Sequence, residues 1–128
     1  PGYLALSVTD ENSKSSTTIM SFIQAQKTEN IFYMVADKKA SKISDIKRNS
    51  QVSFTTWFDK LEKGGRLTSN RVHAEILEKA KAQEIVKKEE LILSLHENAE
   101  NMSIIALRIE SVLYENFKGQ TKVINFEK

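Results

Sequence analysis

The sequence predicts a mainly β fold, a β-barrel with inserted helices, in which six to seven mostly antiparallel strands form one domain spanning 1–128. Three observations carry this. Apolar and polar residues alternate in short runs, as in Tyr3-Leu4-Ala5-Leu6-Ser7-Val8. Such a run presents one dry and one wet face. Turn-forming clusters separate the runs at Asp10–Ser13, Lys27–Asn30 and Lys118–Gln120. Only two stretches favour helix. An antiparallel sheet of this size avoids exposed edges by curling into a barrel.

Each element has its own signal. Gly2 to Val8 is the first strand, and Thr17 to Ala25, rich in Thr, Ile and Phe, is the second, hairpinned to it. Ile31 to Ala36 is a third, apolar strand. A short polar helix follows, with Asp37 or Ser41 as N-cap and Ile43 and Ile46 on one face; Asn49-Ser50 stops it. Val52 to Phe58 is strand four, and Asp59 to Gly65 is a loop. Arg66 to Leu77 is a long fifth strand weakened at Asn70 and Arg71. Glu78 to Asn98 holds strong helix formers, as one helix or as two breaking near Lys88–Glu90. Ser103 to Tyr114 is strand six and Lys122 to Phe126 a short last strand.

Composition narrows the function. The 128 residues, 40% hydrophobic and 28% charged, suit a single core. Nineteen basic residues against 17 acidic ones give net charge +2, with no basic tail or aromatic-laced basic stripe, so nucleic-acid binding is not expected. No apolar run has the length of a membrane span. No secretory signal is visible, so the expected location is cytoplasmic, although Pro1 in place of Met predicts an earlier natural start. Without Cys there is no disulfide, thiolate nucleophile or Cys-based metal site. His73 and His96 lack metal-ligand spacing, so no metal is expected. No nucleophile–base pair or paired carboxylate is readable.

The strand-to-helix segment from Ile31 to Phe54 carries the clearest chemistry. It delivers Lys38, Lys39, Ser41 and Lys42 to a helix N-terminus. Free backbone N–H groups, the positive end of the helix dipole, a hydroxyl and ammonium groups together suit a phosphate. A solvated lysine face is the plainer alternative, and Ser41 serves equally as a cap. Trp57 stacks on a ring, sits at a subunit contact or plugs the barrel end. Arg66, after Gly64-Gly65, is a surface charge or reaches a ligand or subunit. His73 is outward or interfacial, and His96 near a helix end is expected to interact with the helix dipole.

Several strings, in order along the whole chain, resemble the pyridoxamine 5′-phosphate oxidase-like family of FMN-binding split β-barrels. They are Gly2-Tyr3-Leu4-Ala5, Thr18-Ile19-Met20-Ser21-Phe22, Ala40-Ser41-Lys42 before Asn49-Ser50-Gln51-Val52, Arg71-Val72-His73-Ala74-Glu75, and Arg108-Ile109 through Phe117-Lys118-Gly119. The resemblance implies FMN, with its phosphate on Lys42 and Ser41 helped by Lys38 or Lys39. Met20, Ser21 and Phe22 would lie along the flavin ring, with Trp57 near it. It also implies an oxidoreductase acting on an unknown small molecule, and a homodimer with the ligand between subunits. The spread of Tyr33, Phe54, Trp57, Phe58, Tyr114 and Phe117 agrees, because one small barrel cannot bury all of them and an apolar outer patch marks an interface.

The departures from the family pattern weigh against a complete FMN site. The second-strand Arg falls at Thr18, and the hydroxyl ending strand three becomes Ala36. The Arg of the Ser-Arg-Lys string becomes Ser41, the strand-five Gln falls near Leu67, and the C-terminal Trp becomes Phe117. Lysine does not replace a bidentate Arg fork in geometry. The alternative is a non-enzymatic ligand- or haem-binding split barrel that has lost flavin.

Overall fold

A computed structural model describes residues 2–57, 65–116 and 118–126 of the chain. Seven strands are found among the described residues: β1 (Gly2–Thr9), β2 (Ser15–Gln24), β3 (Ile31–Ala36), β4 (Gln51–Thr56), β5 (Gly65–Ile76), β6 (Ser103–Asn116) and β7 (Thr121–Asn125). Between them lie helices α1 (Ser41–Arg48), α2 (Lys79–Lys88) and α3 (Ile92–Leu95), and a 3₁₀ turn at Ala99–Asn101.

The sheet runs β3-β2-β1-β4-β5-β6-β7, all antiparallel, and β3 pairs again with β6. That second pairing closes six strands into a barrel and leaves β7 outside it. The closure is uneven. β2 pairs with β1 over eight positions but meets β3 only at Ile23↔Tyr33 and Gln24↔Phe32. The barrel is therefore split beside β2 from Ser15 to Phe22. α1 closes one end, sending Ile43 and Ile46 into the barrel core with Leu4, Leu6, Phe32, Met34, Phe54 and Leu107.

Alternation places Leu4, Leu6 and Val8 inside and Ala5 and Ser7 outside, as the sequence requires. It fails on β3 and β6, where Phe32, Tyr33 and Met34, and Ser103, Ile104 and Ile105, are buried consecutively. There α2 and α3 cover the outer face and form a second apolar cluster, in which Tyr33, Ile104, Val86 and Ile92 meet. A strand covered on both sides has no wet face to alternate with.

The helical stretch after β5 divides after Lys88, within the expected break. A register shift between Thr68 and Val72 marks the weak middle of β5, where Asn70 and Arg71 stand. Other boundaries differ. β4 ends at Thr56, so Trp57 lies beyond the strand. β2 starts earlier, and β6 runs on to Asn116. Neither proposed cap holds α1. Ala40 is the N-cap residue, with no side-chain cap bond, and Ser41 is the first helical residue. The Asp37 carboxylate instead accepts the Lys39 N–H at 2.8 Å in a local turn. Phe58, most of the Asp59–Gly65 loop and Phe117 fall outside the described residues.

Candidate functional site

The split next to β2 gathers part of the expected site. On β2 the side chains of Met20 and Phe22 face inward, two residues and about 7 Å apart along the strand. Met20 is buried, while Phe22 stacks on Phe32 with ring centroids 4.6 Å apart. Above Met20 lies Lys42, whose Nζ is 3.6 Å from the thioether Sδ.

This ammonium is half-buried and has no carboxylate partner among the described residues. Desolvation pushes its pKa below the usual lysine value. The first turn of α1 also lacks a side-chain cap and an acidic residue. Lys42 and the α1 amides thus form a positive pole at the split.

Lys38, Lys39 and Ser41 are exposed beside this pole. No hydrogen bond joins their side chains to other described residues. Ser21 is half-buried and pairs with Tyr3 of β1.

Across β2, β1, the end of β4 and the start of β5, an apolar groove of about 570 Å³ contains Tyr3, Ile19, Phe22, Thr56, Trp57 and Leu67 among its lining residues. Trp57 is 51% exposed, so it does not plug the barrel; Tyr3 and Ile19 are more exposed still, at 59% and 67%. The expected apolar outer patch exists here, built mostly from residues the sequence reading passed over. Their signal was an apolar side chain on the wet phase of a strand: Tyr3 beside Leu4, and Ile19 beside Met20. Of the other expected patch residues, Tyr33 and Phe54 are buried. Phe22 lines the groove, and Met20, two residues before it on the same face of β2, meets Lys42; the groove lining itself includes neither Met20 nor Lys42.

The remaining candidates have structural partners. Arg66 meets Glu115 at 3.0 Å in a surface pair. His73 shows no partner in the linear sequence, but β5–β6 pairing brings its Nε2 to 3.0 Å from Glu110. Gln51 Nε2 also approaches that nitrogen, at 3.3 Å. His96 lies outside helical geometry after the four-residue α3, and its Nδ1 accepts the Asn98 N–H at 3.0 Å. A turn contact thus takes the place of the expected dipole interaction. Neither His lines the apolar groove. No described helix is long and apolar enough to cross a membrane.

No protein-family model matches the sequence, and no curated protein sequence matches it. Solved structures match in fold. A haem-binding protein from Mycobacterium smegmatis superposes with a TM-score of 0.71 at 12% identity, over 97% of this chain and 52% of that one. General stress protein 26 from Bacillus anthracis str. Sterne gives 0.67 at 20% identity, over 96% and 89%. A Clostridium acetobutylicum protein related to general stress protein 26, of the pyridoxinephosphate oxidase family, gives 0.66 at 12%, over 98% and 87%. This chain thus spans about half the length of the mycobacterial protein and most of the other two. The closed six-strand barrel, the extra strand and these superpositions agree: the chain has the split β-barrel fold of the pyridoxamine 5′-phosphate oxidase-like proteins.

Proposed function

We propose that the protein is an FMN-dependent oxidoreductase acting on a small molecule, and that it works as a homodimer with the flavin between subunits. The observation that carries this is Lys42, a desolvated ammonium beside an uncapped helix start, whose one side-chain hydrogen-bond contact among the described residues is a thioether. A cation so placed is stabilised by an anion, and a phosphate also takes hydrogen bonds from helix N-terminal amides. The groove lined by Phe22, Tyr3, Ile19 and Trp57 suits a flat aromatic ring. On this reading Lys42, Ser41 and the α1 amides take the phosphate of a flavin mononucleotide and the groove takes its ring. Lys38 and Lys39 add positive charge nearby.

When bound, the flavin supplies hydride or electron transfer. The chain supplies the rest. Met20, Ser21 and Phe22 orient the ring edge along β2, and Trp57 covers its open side. The apolar patch around Tyr3 and Ile19 meets a second subunit, which excludes water from the groove. The test is direct. The purified protein is denatured with acid, and the released material is read by visible spectrum and mass. Flavin released, or tight binding of added FMN, supports the reading. A colourless protein that also ignores added FMN ends it.

A second reading has its own observation. Thr18 and Ala36 supply neither the Arg nor the hydroxyl of a full phosphate site, and the groove is an aromatic slot. It would also accept another flat ligand, haem included, in a protein without enzymatic activity. A Soret band on titration with haemin, without flavin binding, would favour it.

A further inference from the structure

The outer face of the sheet carries a row of side chains that reads alike from both ends. Register sets Ile19, Ala5, Thr55, Thr68, Leu113 and Val123 beside one another, in that order, across β2, β1, β4, β5, β6 and β7. Two apolar residues stand at each end and two threonines in the middle. Ile19 and Val123, the end residues, are each 67% exposed. None of the six is charged, in a chain where 28% of residues are. From Ala5 to Val123 the row lines a concave space of about 590 Å³, in which Arg71 is the one charged lining residue. Arg71 stands in the next row, opposite Ser111.

The hydroxyls of this face are paired within the sheet. Thr55 Oγ1 and Thr68 Oγ1 are 3.0 Å apart, and Ser7 Oγ and Thr17 Oγ1 are 2.7 Å apart. The Ser69 hydroxyl donates to the Ser111 carbonyl at 2.6 Å. Groups already bonded to each other lose less when water is removed. A charge-poor face with paired hydroxyls and exposed aliphatic ends suits a protein surface better than a polar ligand.

We propose that this face binds a second copy of the chain, with a twofold axis running along the strands between Thr55 and Thr68. Such an axis reverses the row. Ile19 then lies against Val123 of the partner subunit, small Ala5 against large Leu113 of the partner subunit, and threonine against threonine. An axis along the row would instead set Ala5 on Ala5 and Leu113 on Leu113, leaving a gap over one pair and crowding the other. The six strands span about 24 Å, the scale of a standard interface of roughly 800 Å² per partner. Ile19 also lines the Trp57 groove, so Val123 of the partner subunit completes its edge. This pairing rests on the homodimer of the proposed function and stands without its flavin.

The chain has no cysteine, so engineered thiols report the pairing alone. In the double variant Ile19→Cys/Val123→Cys, the two thiols of one chain are five strand steps apart, about 24 Å along the sheet. That is too far for a bond within the chain. Oxidation is expected to give a covalent dimer of the double variant on a denaturing gel, and none of either single variant, whose two copies stand on opposite sides of the axis. Val123→Asp changes an exposed side chain, so it should keep its circular dichroism spectrum while raising the dimer dissociation constant at least about ten-fold in sedimentation. Four results would each overturn the proposal: a wild-type monomer, Val123→Asp pairing as tightly as wild type, no covalent dimer from the double variant, or single variants that cross-link as readily. Should Val123→Asp fail to fold, the cross-link decides alone. Flavin release by acid is read separately: a colourless protein that cross-links keeps this interface and loses only the cofactor.

Discussion

The Glu89 carboxylate reaches from the end of α2 to the β2–β3 hairpin and accepts the Gln26 backbone N–H with its two oxygens at 3.1 and 3.3 Å. Both residues lie far apart in sequence, and Glu89 is only 9% exposed. This bond fastens the helical insertion to the hairpin between the strands that carry the second apolar cluster.

Glu89→Ala leaves the Gln26 N–H without its acceptor in a partly buried setting. The expected loss is about 1–3 kcal/mol in urea unfolding. Glu89→Gln keeps an acceptor oxygen and should lose less. Equal stability of all three proteins would show that water replaces the bond at no cost.

Burial of the Lys42 ammonium costs stability. Its pKa is lowered in the fold by desolvation, so the folded state binds fewer protons than the unfolded one across the alkaline window between the lowered and the ordinary lysine value. Stability attributable to this group should therefore rise with pH through that window, and below it the charged form works against folding. Lys42→Met should accordingly melt at or slightly above wild type at pH 7 without ligand, while FMN or inorganic phosphate binds at least about ten-fold more weakly. Thermal melts and a fluorescence titration check the two halves. A variant that is less stable yet binds normally would place the anion elsewhere.

Much of the fold was legible because strand phase is a local property. Leu4, Leu6 and Val8 announce the dry face of β1 by spacing alone, and Asn70-Arg71 announce the β5 irregularity by breaking it. What the sequence hid depends on partners distant along the chain. Tyr33 and Ile104 read as ordinary strand residues, and only the packing of α2 and α3 makes their outer faces dry. The His73–Glu110 pair exists only because β5 and β6 are neighbours. Lys42 was visible as a phosphate candidate from its place at a helix start. Its contact with Met20 was not, since it requires the barrel to bring α1 over β2. Ser41 as a cap was misread because local propensity favours Ser there, while the chain turns one residue earlier around Asp37.

Thr18 lies opposite Leu6 in the β1–β2 register, on the same strand phase as Met20, yet it is exposed because β2 has no β3 partner along this stretch. An Arg there has room to reach the split without displacing core atoms. Thr18→Arg combined with Ala36→Thr should raise FMN affinity about ten-fold or more, since a guanidinium fork adds paired charged hydrogen bonds. Strong binding by the variant where wild type has none would indicate a protein that has abandoned flavin. Equally strong binding by both would count against that view.

Oligomeric state tests the proposed assembly. Tyr3, Ile19 and Trp57 lie together around one groove, each at least half exposed, which is costly for a lone molecule. A twofold pair is the commonest way to cover such a surface. Sedimentation at micromolar concentration should show a dimer, with an interface above roughly 2,000 Å² in total. Ile19→Asp places a charge on the patch without touching the core, so it should yield folded monomers and, if the flavin is shared between subunits, lower FMN affinity together with dimer content. A wild-type monomer would remove the shared site. A dimer indifferent to Ile19→Asp would move the interface to another face of the barrel.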